Sequence, residues 1–390
     1  MVKNLKLLII AVGSFVYLQV QAQDSTKMAA PVPPPPPPKV DSVPPSPATT
    51  FSGSLDLYYR YNFGNANSSV NTGTGNPFAY TNNYTSFTNS QNSFELGMAT
   101  IRADHSWSKG GVTVELGFGR RAQEFSYNDG GTNGYLSLAN VVQAFVYYNI
   151  TDKIKITMGK WGTHIGYEVV DAASNRNYSM SYMFSYGPFF NTGIKADIAI
   201  AGKTAIMVGI SNPTDNSTTQ AVQKMAIAQF STATPDNKWK FYLNYQGGHN
   251  SSFTSLNQFD LVLTGTVTDK FGVGFNATDQ TIKQDSNSAT GSFWGAALYL
   301  NVDPSPVFGA TLRAEYFDNK DGTAVFPLMT GNYMEYTLTG QIHLGKLTVM
   351  PELRLDNSSV NSFYKNSDTF ITGPTSKSTF SALLAATYVF

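Results

Sequence analysis

From Phe51 to the last residue the chain alternates apolar and polar side chains, a period of two that puts successive residues on opposite faces of an extended strand. In the first run Phe51, Gly53, Leu55, Leu57, Tyr59, Tyr61 and Phe63 share one face, and Ser52, Ser54, Asp56, Tyr58, Arg60 and Asn62 the other. The pattern recurs in Val112, Val114, Leu116 and Phe118, in Met334, Tyr336, Leu338, Gly340, Ile342 and Leu344, and in Phe380, Ala382, Leu384, Ala386, Tyr388 and Phe390. Sixteen such runs are expected, near residues 51–62, 93–107, 111–120, 138–150, 153–161, 192–201, 203–211, 222–231, 238–247, 257–268, 271–279, 291–301, 307–317, 333–344, 346–356 and 378–390. The chain is therefore read as all-β.

The connections between runs alternate in length. Ser108-Lys109-Gly110, Thr151-Asp152, Gly202, 232–237, Asp269-Lys270, 302–306 and Gly345 are short. The segments 63–92, 121–137, 162–191, 212–221, 248–256, 280–290, 318–332 and 357–377 are long and rich in Asn, Ser, Thr and Gly. Short turns at one end and long loops at the other describe an up-and-down antiparallel sheet whose ends face different compartments, as in outer-membrane barrels. Composition agrees: 42% of residues are hydrophobic but only 13% are charged, about half the soluble norm of roughly 25%. Beyond the N-terminus no apolar run reaches the ~18 residues of a membrane helix. Closure follows because lipid cannot satisfy an open sheet edge. The expectation is a transmembrane barrel of about sixteen strands; the segmentation admits fourteen to eighteen. The alternation slips near Ala99, and Pro351 inside the fifteenth run implies a bulge or a shifted boundary. The same parity predicts that Leu338→Arg hinders folding far more than Thr339→Arg.

Ahead of the barrel, Lys3 and Lys6, the apolar stretch Leu7 to Val20 and the small-residue site Val20-Gln21-Ala22 have the order of a secretory signal peptide. Residues 1–22 are read as that signal and 23–50 as a periplasmic linker. Ten of the chain's 19 prolines lie in residues 31–47, where the unbroken run Pro33 to Pro38 favours a polyproline II spacer. Residues 51–390 form the barrel, in the bacterial outer membrane with both barrel termini periplasmic. Tyr388 and Phe390, closing an alternating strand, are candidates for the signal read by the barrel-assembly machinery.

With the apolar face toward lipid, the inward candidates for a pore lining are Asp56, Arg60, Glu115, Arg121, Lys195, Asp197, Lys240, Asp260, Arg313, Glu315, Glu335, His343, Glu352 and Arg354. Both signs occur, so a weakly selective water-filled path is expected unless opposite charges segregate across the bore; many of these groups could instead cross-link neighbouring strands. The loop 162–191 is the candidate constriction, carrying His164, Tyr167, Glu168, Asp171, Asn175, Arg176 and Tyr178 before an aromatic stretch to Phe190. Loop 63–92, nearly all polar, is expected at the surface. No catalytic, metal or cofactor constellation emerges: there is no Cys, and the four His have no ligand spacing. Lys plus Arg equals Asp plus Glu at 26 each, which gives no reason to expect nucleic acid. Outer-membrane lipid and a small hydrophilic solute are the implied partners, and a homo-oligomer is compatible with the pattern. Two other readings fit it as well: a non-conducting barrel whose loops bind a partner or matrix, and an outer-membrane hydrolase.

The segment Met158-Gly159-Lys160-Trp161-Gly162-Thr163-His164-Ile165-Gly166-Tyr167-Glu168, with Asn175, Tyr178, Ser179, Gly187-Pro188 and Thr192-Gly193-Ile194, resembles the OmpL-like β-barrel porin family. FSGSLDLYYRYNF at 51–63 and NSFELGMATIRADHS at 92–106 are similar to its opening strands. The resemblance covers roughly residues 51–390 and implies an outer-membrane barrel acting as a channel; taken with the polar inward face, passive diffusion of small hydrophilic solutes is the expected function. It brings neither a known solute nor catalytic residues.

Overall fold

A computed structural model describes residues 48–64, 82–129, 138–219, 223–251, 254–285, 290–319, 321, 330–366, 368 and 373–390. The signal peptide and the Pro-rich segment up to residue 47 lie outside the described residues. Ala48 to Thr50, expected as linker, already belong to the first strand.

Sixteen antiparallel strands close into one barrel in strict sequence order. They are β1 (Ala48–Asn62), β2 (Ser93–Trp107), β3 (Gly110–Phe118), β4 (Val141–Thr151), β5 (Ile154–Gly162), β6 (Phe190–Ala201), β7 (Thr204–Ser211) and β8 (Met225–Ala233). The second half comprises β9 (Trp239–His249), β10 (Thr254–Thr268), β11 (Phe271–Gln284), β12 (Thr290–Ser305), β13 (Phe308–Asp318), β14 (Asn332–Leu344), β15 (Leu347–Ser358) and β16 (Ser378–Val389). β1 pairs with β16 from Ser54↔Val389 to Asn62↔Ser381, and Phe390 exchanges backbone hydrogen bonds with Gly53, at 3.2 Å and 3.0 Å. No edge strand remains.

Burial follows the sequence parity. Phe51, Ile101, Met158, Ile210, Phe259, Leu338 and Leu384 are exposed on the outer wall, whereas Asp56, Asp260, Arg313, Glu335 and Glu352 are buried inside. So large an apolar surface is stable only against lipid.

The slip near Ala99 is a bulge at Gly97: the β1–β2 register steps from Asp56↔Met98 to Leu57↔Leu96. A side chain at Gly97 would collide with the Asp56 carboxylate and the Tyr178 hydroxyl. At Pro351 the expectation of a bulge or shifted boundary fails. Register with β14 is the same on both sides, from Thr339↔Glu352 to Ile342↔Val349, and only the pairing lapses between them. The missing proline N–H falls in that gap, opposite Gly340, and the β16 side stays paired through Leu384.

β9 runs to His249, β10 starts at Thr254 and β11 runs to Gln284, so the connections expected to be long at 248–256 and 280–290 shrink to 250–253 and 285–289; β12 likewise runs to Ser305, into the turn expected at 302–306. Backbone ladders there continue past the apolar alternation, because hydrogen bonding does not need a greasy face. The loops also carry two short helices that a period of two could not reveal, α1 (Arg120–Phe125) and α2 (Tyr182–Tyr186).

The surface expectation for loop 63–92 is corrected over its described part. Asn82 to Gln91 turn into the barrel, with Phe87 and Ser90 fully buried. Arg60 donates to the Ser90 carbonyl at 3.0 Å, Asn82 bonds with the Tyr364 backbone, and Phe87 N–H donates to Glu124 at 2.6 Å. Tyr84 and Phe87 supply apolar area that a solvated tip would waste.

Leu338 lies mid-strand and 50% exposed to lipid, whereas Thr339, expected to tolerate arginine, is fully buried and bonded to Asn177 and Glu352. The inward Ser231 on β8 is the half-exposed position that suits the comparison. Leu338→Arg is expected to cost about 2–4 kcal/mol of folding stability in lipid vesicles and Ser231→Arg under ~1 kcal/mol. Denaturant titration of the refolded barrels measures both, and equal losses would reverse the assigned faces.

Candidate functional site

An irregular segment cannot satisfy its own backbone groups, so it can lie inside a barrel only if the wall supplies partners. Residues 163–189 between β5 and β6 do this around most of the circumference. His164 Nε2 meets the Tyr245 carbonyl on β9 at 3.0 Å, Gly166 N–H donates to Asp260 on β10 at 2.9 Å, and Tyr167 N–H to Asn276 on β11 at 3.3 Å. Asp260 is held in place by Asn244 and Asn276 at 2.7 and 2.6 Å. The Tyr167 ring stacks on Tyr299 of β12 with centroids 4.1 Å apart.

Farther along, Arg176 forks onto Asp303 at 3.1 and 2.5 Å and reaches Thr311 at 2.8 Å. Tyr178 N–H and Ser179 N–H donate to Glu352 on β15 at 2.8 and 3.2 Å, and the Tyr178 hydroxyl donates to Asp56 on β1. The chain then enters α2. Ser181 is its N-cap, accepting from Phe184 N–H at 3.1 Å, while Glu315 of β13 accepts Tyr182 N–H and Met183 N–H, both at 2.7 Å. Arg313 binds Glu168 at 2.5 Å, Glu335 at 2.9 Å and the Ser179 carbonyl at 2.7 Å; Arg354 binds Asp356 at 2.8 Å and the Met180 carbonyl at 2.7 Å. Carboxylates thus take the loop's N–H groups and arginines its carbonyls.

The inward candidates therefore divide. Asp56, Arg60, Asp260, Arg313, Glu315, Glu335, Glu352 and Arg354 are buried among loop contacts instead of facing water. Glu115 accepts from Gln143 at 2.7 Å and lies 3.6 Å from Arg102. Lys195 and Asp197 are neighbours at 3.7 Å, Lys240 is half-buried on β9, and His343 is exposed at the short-turn end, 3.1 Å from Thr348. Arg121 lies on α1, not on a strand. It is fully buried, its guanidinium 4.8 Å from the Phe87 ring and 5.0 Å from the Tyr178 ring, with Asp56 at 3.7 Å.

Of the loop candidates, His164, Glu168 and Tyr178 are buried, and Tyr167, Asp171, Asn175 and Arg176 are half-buried. Burial pushes His164 down to about 4, so the imidazole is neutral at physiological pH. Asp171 caps a 3-10 turn through Ala173 N–H at 3.2 Å, and the Asn175 amide bonds to the backbone of Val169 at 3.0 and 2.6 Å.

Sequence reasoning missed Asp215 in the β7–β8 loop. Its Oδ1 accepts Phe189 N–H at 2.7 Å and Phe190 N–H at 2.9 Å, and its Oδ2 lies 3.3 Å from the Tyr127 hydroxyl. It pins the point where the loop rejoins the wall. Burial raises this carboxyl to about 7, opposed by the two N–H donors, Tyr127 and Lys160. Lys160 itself bonds Asp129 at 2.8 Å. Nothing in the local sequence marks Asp215. The aromatic stretch ending at Phe190 was the legible part; its Phe184, Phe189 and Phe190 cluster with Phe125, which the sequence did not single out.

The model of the family described as "Putative beta-barrel porin-2, OmpL-like" matches residues 48–390. No curated protein matches the sequence. Among solved structures the chain is similar to the trimer form of OmpT, an outer membrane protein of Vibrio cholerae, with TM-score 0.57, 11% identity, and 89% of this chain and 100% of that chain covered. It is also similar to an anion-selective porin from Comamonas acidovorans, at TM-score 0.57, 10% identity and coverages of 88% and 100%. A third is the outer membrane channel DcaP of Acinetobacter baumannii, at TM-score 0.54, 11% identity and coverages of 88% and 98%. At these identities the likeness is one of fold.

Glu352→Ala leaves the buried N–H groups of Tyr178 and Ser179 without their acceptor, at roughly 1–3 kcal/mol each. The loop is expected to become protease-sensitive between Val169 and Arg176 while the barrel stays folded, read by limited proteolysis and heat-modifiable gel mobility. For Asp215, a raised folded pKa means the native state binds the extra proton, so its stabilisation is greatest at low pH and declines as pH rises from about 4 to about 7. Amide exchange at Phe189 and Phe190, corrected for intrinsic rate, should be severalfold slower at pH 5.5 than at pH 8. In Asp215→Asn that pH dependence should vanish.

Proposed function

The chain belongs to the OmpL-like β-barrel porin family and is a porin-type barrel of the bacterial outer membrane, and on that premise we propose that it is a channel for passive diffusion of small hydrophilic solutes, narrowed by residues 163–189. One observation carries the reading. A single loop is tethered by buried hydrogen bonds to β1, to β9–β11 and to β13–β15, so it spans the bore at the depth of the strand midpoints. A loop that merely capped the rim would have no need of midstrand partners such as Glu315 and Glu352.

The remaining features fit this arrangement. β1 begins and β16 ends at the short-turn end, which is periplasmic in this reading, so a signal cleaved after Ala22 leaves the Pro-rich stretch in the periplasm. Tyr388 and Phe390 stay exposed on the outer wall, where the assembly machinery can read them before lipid covers them. The outer wall also leaves room for homo-oligomer contacts. Among the histidines, His164 Nε2 faces a carbonyl, His105 and His343 bond threonine hydroxyls, and the half-buried His249 lies 3.4 Å from Asp285.

Single-channel recording from the refolded mature protein in a planar bilayer tests the proposal. Discrete steps are expected, and they should enlarge when residues 166–186 are replaced by a short Gly-Ser linker. A heat-modifiable barrel that gives no steps, with or without the replacement, would move the function to the surface loops.

A further inference from the structure

The short turns carry one charge pattern six times over. β3, β5, β7, β9, β11 and β15 all start at the short-turn end, and each is directly preceded by a lysine: Lys109, Lys153, Lys203, Lys238, Lys270 and Lys346. These are six of the fifteen lysines in residues 51–390, and no arginine lies in a short turn. β13 breaks the series, with Val307 in that place. Of the eight strands that start at the long-loop end, only β8 and β16 follow a lysine, Lys224 and Lys377.

Turn geometry fixes the position. In five of the six the lysine is the second residue of a two-residue turn: Ser108-Lys109, Asp152-Lys153, Gly202-Lys203, Asp269-Lys270 and Gly345-Lys346. Gly202 and Gly345 supply the positive φ, 56° and 68°, while the Thr151 and Thr268 hydroxyls accept Lys153 N–H and Lys270 N–H, both at 3.2 Å. The backbone is pinned and the side chain is left outside it. Lys109, Lys153, Lys203, Lys270 and Lys346 are exposed and enter no ion pair among the described residues; Lys238 is half-buried, 3.9 Å from Asp236.

The carboxylates at this rim are Asp152, Asp236 and Asp269, so cations outnumber them six to three, and a terminal carboxylate at Phe390 still leaves a surplus of two. Charges farther in do not change this: Lys155 and Lys195 face Asp197, Arg102 faces Asp104 and Glu115, and Arg176 faces Asp303. The surplus belongs to the rim.

Apolar side chains of the outer wall end where the lysines begin. Trp107 lies two residues before Lys109, Trp239 and Phe271 directly follow Lys238 and Lys270, and Leu344 and Leu347 flank Gly345-Lys346. At a rise of about 3.3 Å per residue, the ammonium groups lie just past the hydrocarbon, at headgroup depth. Successive hairpins are two strands apart, roughly 10 Å, so the lysines ring the wall and do not gather in one patch. A compact protein partner would cover one side; lipid meets the wall on all of them. Beside Lys238, Thr232, Trp239, Phe241 and Leu263 line an outer-wall groove of about 260 Å³, with the Trp239 ring lying on Gly265.

We propose that this lysine ring binds the phosphates of anionic phospholipids in the periplasmic leaflet, and that the groove beside Lys238 takes an acyl chain. A compact charge on a flexible stem suits a phosphodiester in a fluid layer, whereas the fixed fork of arginine suits a rigid partner. The choice of leaflet rests on the reading of the short-turn end as periplasmic; the phosphate binding does not.

Phosphatidylcholine vesicles carrying one third phosphatidylglycerol provide the test. In full-length Trp294→Phe, Trp107 and Trp239 report on lipid at the short-turn end, while Trp161 is buried inside. Phosphatidylglycerol brominated in its acyl chains should quench their emission about twofold more than equally abundant brominated phosphatidylcholine. The preference should fall toward one in about 0.5 M NaCl. It should also fall toward one in Lys109→Gln/Lys238→Gln, and persist in Lys365→Gln/Lys377→Gln at the opposite end. Equal quenching by the two lipids overturns the proposal, as does a preference that survives Lys109→Gln/Lys238→Gln. Equal quenching joined to lysine-dependent co-sedimentation with purified peptidoglycan would assign the ring to that polymer instead. The leaflet is read separately: Ser108→Cys should react with an impermeant maleimide only after cells are permeabilised. Labelling of intact cells overturns the periplasmic assignment and leaves a vesicle-measured preference standing, and a barrel without conductance overturns the channel reading alone.

Discussion

A backbone inside hydrocarbon finds no water, so the ladder must close on itself. Here it closes where β1 meets β16 and Phe390 exchanges its hydrogen bonds with Gly53. Every other property of the wall depends on that closure. Once each strand has a neighbour on both sides, side chains have only two directions to go, lipid or lumen, and a charge is tolerable in only one of them. The exceptions are handled locally. The bulge at Gly97 admits the Tyr178 hydroxyl beside Asp56, and Pro351 lies where the β14 pairing lapses.

The interior meets a second form of the same constraint. The polar and aromatic loop 163–189, folded into a narrow lumen, would strand its backbone groups if the wall were apolar. Instead, Asp260, Glu315 and Glu352 accept loop N–H groups, and Arg313 and Arg354 donate to loop carbonyls. Buried ion pairs recover their desolvation cost poorly, so these groups are weak contributors to net stability. Their value is positional: each fixes one point of an irregular chain against one rung of the barrel. Partly exposed charges remain on both sides of the loop, Arg176 and Asp303 on one and Lys155, Lys195 and Asp197 on the other.

The strand plan was legible because lipid imposes it residue by residue. All sixteen runs, their order and the outward face of positions such as Leu338 and Leu384 follow from period-two alternation. Alternation lost its reach where the ladder outlasts the lipid, at the ends of β11 and β12. Within loop 162–191 the aromatic content signalled burial, and Glu168 and Tyr178 are buried. The segment at Asn82 to Gln91 was misjudged, because its Asn, Ser and Thr residues read as solvated when their partners are distant in sequence: Tyr364 for Asn82, Arg60 for Ser90.

The sequence by itself determined an all-β wall of about sixteen strands, its two faces and the alternation of turns and loops, since each follows from the hydropathy of consecutive residues, and the structure settled the count at sixteen among the described residues. Only the tertiary structure decided which inward charges meet water and which hold the loop. Asp56 and Lys195 look alike in the alternation, yet one is buried under Tyr178 and the other stays half-buried beside Trp161. That difference is set by where a segment more than a hundred residues from Asp56 comes to rest, and no local pattern encodes it.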